Sequence, residues 1–332
     1  MQLTEQQWAE YSRTGYLRLG KILDQQSIDA LRQRADDLAS GKIRNPAIQM
    51  QLDTGGAYEQ LPEAHHDFVP EGLLYRKIQG LEMDDLFLTL VKHPLFAEIC
   101  AHEYGAHTST SIFRAMIMNK PAGQGTLLPW HQDGGKVWAL DRDPLITIWL
   151  ALDAAKVENG CIEIISGSHR LGLLSTHGSI ISDEDVKHYC LDDNIEALEV
   201  EAGHCLLMHN WLLHRSGLNP TSQPRRAFTA CYLDGRTQSV LTGNYFPFVK
   251  GAAPTETYPF VRQLHIDNAF LRDTAAKSEE YALSLLEANT ELQRSQTDIQ
   301  QHVCKLDETI QLLRSGHDPR KSIVNWLRKL IG

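Results

Sequence analysis

The strongest indication of the fold lies between Ser109 and Leu233, where short segments rich in β-branched and aromatic residues are separated by Gly, Pro and Asn. These segments read FRAMIM (113–118), ITIWLAL (146–152), CIEII (161–165), CLLM (205–208) and AFTACYL (227–233). Strands of this length and spacing are typical of an all-β sandwich or barrel. The sequence therefore predicts a β-barrel core over about residues 109–235.

Helices are predicted on the N-terminal side of this core. Residues 4–40 carry apolar side chains at helical spacing, and residues 81–104 form a second helical stretch that Pro94 divides in two. The polar, Gly-containing stretch over residues 41–72 is interpreted as a loop. The predicted fold class is thus mainly β with flanking helices (α+β), and the helical part covers residues 1–108.

A third pattern begins after residue 273, where the catalytic or binding domain (residues 1–273) is predicted to end. Apolar and amide side chains alternate every four and three residues, at Leu285, Asn289, Leu292, Gln296, Ile299, Val303, Leu306, Ile310 and Leu313. This alternation predicts a coiled-coil helix over residues 274–315 that joins copies of the chain, or a long helix that packs on the β domain. The basic amphipathic tail over residues 316–332 is predicted either to contact an anionic membrane surface or to dock on the protein itself.

The charge balance and the cysteines restrict the functional classes. The chain has 32 Lys and Arg against 42 Asp and Glu, a formal net charge of −10, which disfavours nucleic-acid binding because that depends on neutralising phosphates. The six cysteines form no C-x-x-C pair, and the N-terminus lacks the pattern of a signal peptide. We therefore expect reduced thiols, a cytoplasmic protein and a small-molecule substrate.

The most informative chemical motif is Pro129-Trp130-His131-Gln132-Asp133-Gly134. Because side chains alternate along a strand, His131 and Asp133 would lie on the same face and present a nitrogen and a carboxylate oxygen to one point. His214 is the candidate third ligand. Two histidines and one carboxylate form the facial triad of non-haem Fe(II) oxygenases, in which 2-oxoglutarate and O₂ take the open positions.

Two residues downstream of His214 suit the co-substrate. A guanidinium at Arg225 would pair with the distal carboxylate of 2-oxoglutarate, and Ser216 would share it if the strand continues. Arg226 would replace Arg225 if the register slips by one residue, since alternation lets only one of them face inward. His209 is interpreted as a core residue.

Two other histidines are weaker candidates. His65-His66-Asp67 is a weak alternative metal site in the predicted loop. His169 is assigned to a turn near the pocket mouth.

Several segments together resemble the phytanoyl-CoA dioxygenase family over roughly residues 5–235. They are Gly15-Tyr16-Leu17, Lys77-Ile78-Gln79, Met116–Pro121, His131-Gln132-Asp133, Asn159–His169 and His214 through Ala227. The resemblance implies a double-stranded β-helix, that is, a jelly-roll or cupin-like barrel. It also implies that His131, Asp133 and His214 bind iron, that Arg225 and Ser216 hold 2-oxoglutarate, and that Lys77, Met116, Gln132 and Trp149 line the co-substrate pocket.

The function expected from these features is hydroxylation of an unactivated C–H bond, with release of succinate and CO₂. The carboxylate of Asp133 would fill the position that a halogenase leaves open for halide, which favours hydroxylation over halogenation. Desaturation and ring formation use the same iron centre and stay open as alternatives. A polar metabolite, a sugar or lipid head group, or a natural-product intermediate would suit the mixed polar and aromatic segments around the predicted pocket. The alternatives are a non-catalytic cupin-like binding or sensing protein and a coiled-coil scaffold.

Overall fold

The computed structural model describes residues 2–55, 58, 61, 62, 64, 74–123, 125–175 and 179–252, together with positions 299, 301–303, 305–308, 310, 311, 324, 325 and 328. The chain divides into two units, Met1–Thr255 and Glu256–Gly332. The α-helices described in the first unit are α1 (Glu5–Thr14), α2 (Gln25–Ala39), α3 (Asp85–Val91), α4 (Pro94–Tyr104) and α5 (Asp183–Tyr189). Its strands are β1 (Tyr16–Lys21), β2 (Gln49–Leu52), β3 (Tyr75–Gln79), β4 (Thr110–Lys120), β5 (Leu128–His131), β6 (Ile146–Ala151), β7 (Ile162–Ile165), β8 (Ile195–Leu198), β9 (His204–His209), β10 (His214–Ser216), β11 (Arg225–Asp234) and β12 (Phe248–Lys250).

The strands form two antiparallel sheets. The larger sheet has the order β1-β9-β6-β11-β4-β3-β2, with β12 also paired to β4, and the smaller sheet has the order β5-β10-β7-β8. Their facing surfaces share one buried apolar cluster, which includes Trp149, Leu206 and Met208 of the larger sheet and Ile162, Ile164 and Leu198 of the smaller. Two facing antiparallel sheets of this kind make a jelly roll, so the mainly β prediction is confirmed.

The helices cover the outer face of the larger sheet. Phe87 of α3 stacks on Phe228 of β11 with ring centroids 5.7 Å apart, and the Tyr232 hydroxyl donates to the Val91 carbonyl at 2.7 Å. Both aromatic residues of β11 are fully buried, as is Phe96 of α4. Burial of these large side chains stabilises the sheet from the side opposite the second sheet.

Two strands lie where the sequence predicted other structure. Residues 4–40 contain β1 between α1 and α2, because Gly15 ends α1 in the left-handed conformation and the next residues pair with β9. Leu17 and Leu19 are buried by that pairing. The predicted loop over residues 41–72 contains β2, which pairs with β3. Both strands are short edge elements whose partners lie far away in the sequence, and such pairing overrides local propensity.

The division of the second helical stretch at Pro94 is confirmed. Helix α3 ends at Val91, and Pro94 occupies the first turn of α4, where its missing N–H costs no hydrogen bond. The ring of His93 caps the new helix by accepting the Leu95 N–H at 3.3 Å.

The C-terminal predictions lie largely outside the described residues. This holds for most of the coiled coil over 274–315 and of the tail over 316–332, and also for His65-His66-Asp67. In the part of the chain that the structure describes, none of the helices has the length and hydropathy needed to cross a membrane.

Candidate metal centre

His131, Asp133 and His214 converge inside the jelly roll. Their candidate ligand atoms all lie within 4.8 Å of one another. His214 on β10 lies directly opposite His131 on β5, and the two ring centroids are 4.0 Å apart. Strand pairing in the smaller sheet therefore brings together two histidines that are 83 residues apart in the sequence.

The two imidazoles are held in the same way. Nδ1 of His131 lies 2.9 Å from the Pro129 carbonyl, and Nδ1 of His214 lies 2.9 Å from the Leu212 carbonyl. A carbonyl oxygen can only accept, so each Nδ1 carries a proton and donates it, which leaves the Nε2 atom of each ring as the candidate metal ligand. Burial, followed by the neighbouring His214, lowers the pKa of His131 to about 3, which keeps that ring neutral and ready to ligate a metal.

Asp133 lies just beyond the strand that carries His131. Strand β5 ends at His131, so the two ligands do not share one regular strand as predicted. A turn places the carboxylate instead, and the Asp133 N–H donates to the Asn210 carbonyl at 2.8 Å. The turn continues through Gly134 at φ 148°, and the next N–H, that of Gly135, donates to Asp143 at 2.9 Å.

The ionisation of Asp133 is governed by its neighbours. Burial alone would raise its pKa, but Arg114 and then the two histidines and Lys77 lower the pKa below its ordinary value. Nη2 of Arg114 lies 3.4 Å from Asp133 Oδ1. The carboxylate is therefore ionised at neutral pH, as metal ligation requires.

Arg225 and Ser216 line the same cavity as the three candidate ligands. Nη2 of Arg225 donates to the Gly160 carbonyl at 2.7 Å, and the guanidinium carbon lies 5.9 Å from the Trp149 ring centroid. Its Nε is buried without a hydrogen-bond partner among the described residues. Burial lowers the pKa of Arg225 to about 10, so the group stays charged at neutral pH and leaves a donor available.

The register of β11 decides whether Arg225 or Arg226 faces the cavity. Arg226 points to the opposite face of the sheet, where its Nε lies 2.8 Å from Asp153 and its Nη1 lies 3.0 Å from Asp36. Arg225 is thus the arginine that faces the cavity. The structure also separates His209 from the metal-ligand group, since its Nδ1 accepts the Trp211 N–H at 3.0 Å.

The remaining predicted pocket residues divide into two groups. Lys77, Met116 and Trp149 line the cavity. Gln132 does not, because its amide N–H groups donate to the carbonyls of Gly172 and Trp211, both at 2.7 Å, and its Oε1 accepts from Leu174 at 2.8 Å. These bonds use the whole amide to fasten two neighbouring segments, so direct contact of Gln132 with a co-substrate is not supported.

Two lysines in the cavity wall are partly desolvated. Burial, followed by the charges of Arg76 and Arg114, lowers the pKa of Lys77 to about 7. Burial, followed by the charges of Arg225 and Arg76, lowers the pKa of Lys120 to about 6, and its Nζ donates to the Thr126 carbonyl at 2.7 Å. An anion bound between these groups would favour their charged forms.

Sequence reasoning missed Arg114 and Lys120, although a signal for both was present. They lie two residues before and four residues after Met116 on β4, so strand alternation places all three on one face. The predicted strand ended at Met118, so Lys120 was not recognised as part of it. Arg76 and Thr229 also line the cavity. Arg76 directly precedes Lys77 and Thr229 lies within the predicted strand 227–233, but neither was singled out.

The chain is similar in sequence to proteins of one known family. A family model described as Phytanoyl-CoA dioxygenase (PhyH) matches residues 11–227. A probable phytanoyl-CoA dioxygenase of Caenorhabditis elegans is 24% identical over 269 residues, covering 75% of this chain and 84% of the relative. The peroxisomal phytanoyl-CoA dioxygenase of Mus musculus is 24% identical over 238 residues, covering 68% of this chain and 67% of the relative.

Solved structures are similar in fold. EctD from S. alaskensis with bound Fe superimposes with a TM-score of 0.55 at 18% identity, covering 76% of this chain and 82% of that chain. The non-heme alpha ketoglutarate dependent carbocyclase SnoK has a TM-score of 0.56 at 17% identity, covering 76% and 95%. Because the family model spans more than half of the sequence, the chain belongs to the phytanoyl-CoA dioxygenase (PhyH) family.

Proposed function

We propose that this chain is an Fe(II)- and 2-oxoglutarate-dependent dioxygenase that hydroxylates a C–H bond of a small molecule. The observation that supports this proposal most strongly is that two imidazoles, one carboxylate and the buried Arg225 line a single cavity. Two nitrogens and one carboxylate on one side of a site fit non-haem iron and leave positions for a bidentate co-substrate. When bound, iron with 2-oxoglutarate and O₂ supplies the oxidising chemistry, with release of succinate and CO₂.

His131, Asp133 and His214 would hold the metal in this proposal. The backbone carbonyls that accept from the two Nδ1 atoms keep both rings aimed, and Asn210 fixes the backbone of Asp133. Such bonds to the outer atoms of ligands raise metal affinity by restricting the ligands to one arrangement. Asp133 itself favours hydroxylation over halogenation, because its carboxylate occupies the position that a halide would need.

Arg225 and Ser216 would bind the distal carboxylate of 2-oxoglutarate. Both are buried, so an ion pair formed there is screened little by water. Lys77, Met116 and Trp149 would form the walls around the co-substrate. A structure of similar fold supports the choice of co-substrate, since EctD from S. alaskensis is solved with 2-oxoglutarate and 5-hydroxyectoine, at a TM-score of 0.57 and 18% identity.

The test is Fe(II)-dependent formation of succinate from 2-oxoglutarate by the full chain. The unchanged protein is compared with Asp133→Ala and with Asp193→Ala, a control that removes an exposed carboxylate. Slow turnover that Asp193→Ala keeps and Asp133→Ala loses is expected.

If no succinate forms, calorimetric titration of Fe(II) and 2-oxoglutarate follows. Binding without turnover, even with candidate substrates, would favour a binding or sensing protein. Absence of both would refute the oxygenase proposal.

We further propose that the C-terminal helix joins copies of the chain. Ile299, Val303, Leu306 and Ile310 are helical positions spaced by four and three residues, and all four are exposed. A stripe of exposed apolar residues at this spacing suits a coiled-coil seam. Sedimentation should give a smaller particle for Leu306→Glu than for the unchanged chain, and equal sizes would exclude this seam. Contact of the basic tail with membranes stays a prediction.

A further inference from the structure

Arg114 lies at the edge of the candidate metal centre with its charge only partly matched. Its Nη2 is 3.4 Å from Asp133 Oδ1, a long contact for a charged hydrogen bond. The guanidinium carbon lies 4.1 Å from the ring centroid of Trp138, which stacks in turn on Phe113 with centroids 4.8 Å apart. The aromatic ring covers one face of the guanidinium, while 31% of the side chain remains exposed.

A bulge in β4 brings Phe113 to the same side of the strand as Arg114. Arg114 pairs with Cys231 and Ile112 pairs with Tyr232, so Phe113 is an extra residue between the two pairs. Bulges bend a strand and re-aim its side chains, and they are frequent beside active sites. Here Phe113 and Arg114 both contact Trp138, although neighbours in a regular strand would point to opposite faces.

The charge of the cavity contrasts with that of the chain. The whole chain carries a net charge of −10. Among the described residues that line the cavity, one carboxylate, Asp133, accompanies six basic side chains: Arg76, Lys77, Arg114, Lys120, Arg215 and Arg225. Arg215 is paired with Glu163. A metal dication and a 2-oxoglutarate dianion would cancel each other, so their binding leaves the positive excess in place.

We propose that Arg114 binds an anionic group of the primary substrate, a carboxylate or a phosphate, beside the metal centre. The substrate class is then a small organic anion whose reacting C–H bond lies close to its charged group. This inference rests on the proposed function, because it assigns the substrate of the same site. Once the Asp133 carboxylate shares its charge with a metal, the planar donor edge of Arg114 is left for a bidentate acceptor.

Trp138 makes Arg114 a better anion receptor than a free surface arginine. The stacked ring limits the orientations of the guanidinium, so less conformational entropy is lost when a ligand binds. Arg142 provides the contrast, since it lies four residues beyond Trp138 but does not line the cavity. Its Nη1 donates to the Arg236 carbonyl at 2.6 Å.

The experiment is anaerobic calorimetry on the full chain loaded with Fe(II) and 2-oxoglutarate. The probes are n-butyrate, n-butyl phosphate and the neutral n-butyramide, at constant ionic strength. Arg114→Gln should weaken the preferred anion about tenfold or more and leave n-butyramide unchanged. Arg114→Lys should retain part of the affinity, and Arg142→Gln should bind all probes as the unchanged protein does. The ratio between the two anions identifies carboxylate or phosphate as the group recognised.

Two results would overturn the inference alone. One is equal affinity of both anions for Arg114→Gln and the unchanged protein. The other is a loss of Fe(II) or 2-oxoglutarate affinity in Arg114→Gln as large as the loss for the anions, which would mean that Arg114 acts only through Asp133. Failure of the unchanged protein to bind Fe(II) and 2-oxoglutarate would instead overturn the proposed function and this inference with it.

Discussion

The two faces of the larger sheet bury different chemistry. The outer face, against the helices, is mainly apolar and includes Ile117, Ile148 and Phe228. The inner face, against the smaller sheet, carries Arg114, Lys120, Arg225 and Thr229 among its apolar residues. Both sets come from the same strands, because successive side chains alternate between the faces.

Arg225 and Arg226 show this difference in adjacent residues. Arg226 on the outer face contacts the carboxylates of Asp153 and Asp36. Burial opposes its charge, but the hydrogen bond and charge of Asp153 raise its pKa above the ordinary value. Arg225 on the inner face has one backbone acceptor, and burial lowers its pKa to about 10. A buried charge matched within the protein stabilises the fold, whereas one left unmatched is suited to a ligand.

The largest expected effect on the free energy of unfolding comes from removing the charge of Arg226, which is paired with carboxylates. Arg226→Gln leaves Asp36 without this partner and Asp153 with Arg32 alone in a largely buried position, so the free energy of unfolding should fall by about 3 kcal/mol. Urea denaturation measures the change. Arg236→Gln is the control, since 46% of the Arg236 side chain is exposed and Asp234 also accepts the Arg236 backbone N–H, so the loss should stay below about 1 kcal/mol. Equal losses in the two variants would contradict the contrast between the faces.

Arg225→Gln should have the opposite effects, with a large loss of ligand affinity and a small change in stability. Affinity for 2-oxoglutarate in the presence of Fe(II) should fall by roughly tenfold to a hundredfold, because a charged hydrogen bond to the distal carboxylate is lost. The free energy of unfolding should change by less than about 1 kcal/mol, since the removed charge had no carboxylate partner. Calorimetry and urea denaturation on the same sample measure both, and Arg225→Lys should bind with intermediate affinity. Strong destabilisation with unchanged 2-oxoglutarate affinity would make Arg225 a structural residue.

The smallest expected effect concerns His209 at the cavity rim. Burial, followed by the neighbouring His169, lowers the pKa of His209 to about 4, against about 6.5 in an unfolded chain. As the pH falls below 6.5 the unfolded chain binds this proton first, so stability is lost down to pH about 4. In metal-free protein, His209→Gln should lose about 2 kcal/mol less over that range.

Thermal unfolding at several pH values measures this difference. The exposed His107, changed to Gln, is the matched control and should keep the slope of the unchanged protein. A His209→Gln slope equal to that of the unchanged protein would show that the folded state takes up this proton freely.

Local sequence patterns were sufficient to identify the three candidate metal ligands, but they were insufficient to predict the role of Gln132. His131, Asp133 and His214 were identified from residue types that share one chemistry, and the structure brings all three together. Gln132 was assigned to the pocket from the resemblance alone, yet its amide is used by backbone groups up to 79 residues away in the sequence. Those partners belong to loops, and no periodicity in the sequence predicts that they contact Gln132.

The sequence by itself determined the class of fold, the strands of the core, the break at Pro94 and the identity of the candidate metal ligands. These are local properties, since they follow from alternation, from the restricted backbone of proline and from side-chain chemistry. Only the tertiary structure decided that β1 and β2 are edge strands, that Arg225 faces inward, and that a bulge brings Phe113 to the side of Arg114, where both contact Trp138. Each of these depends on register between segments distant in the sequence, where the shift of a single residue exchanges the two faces of a strand.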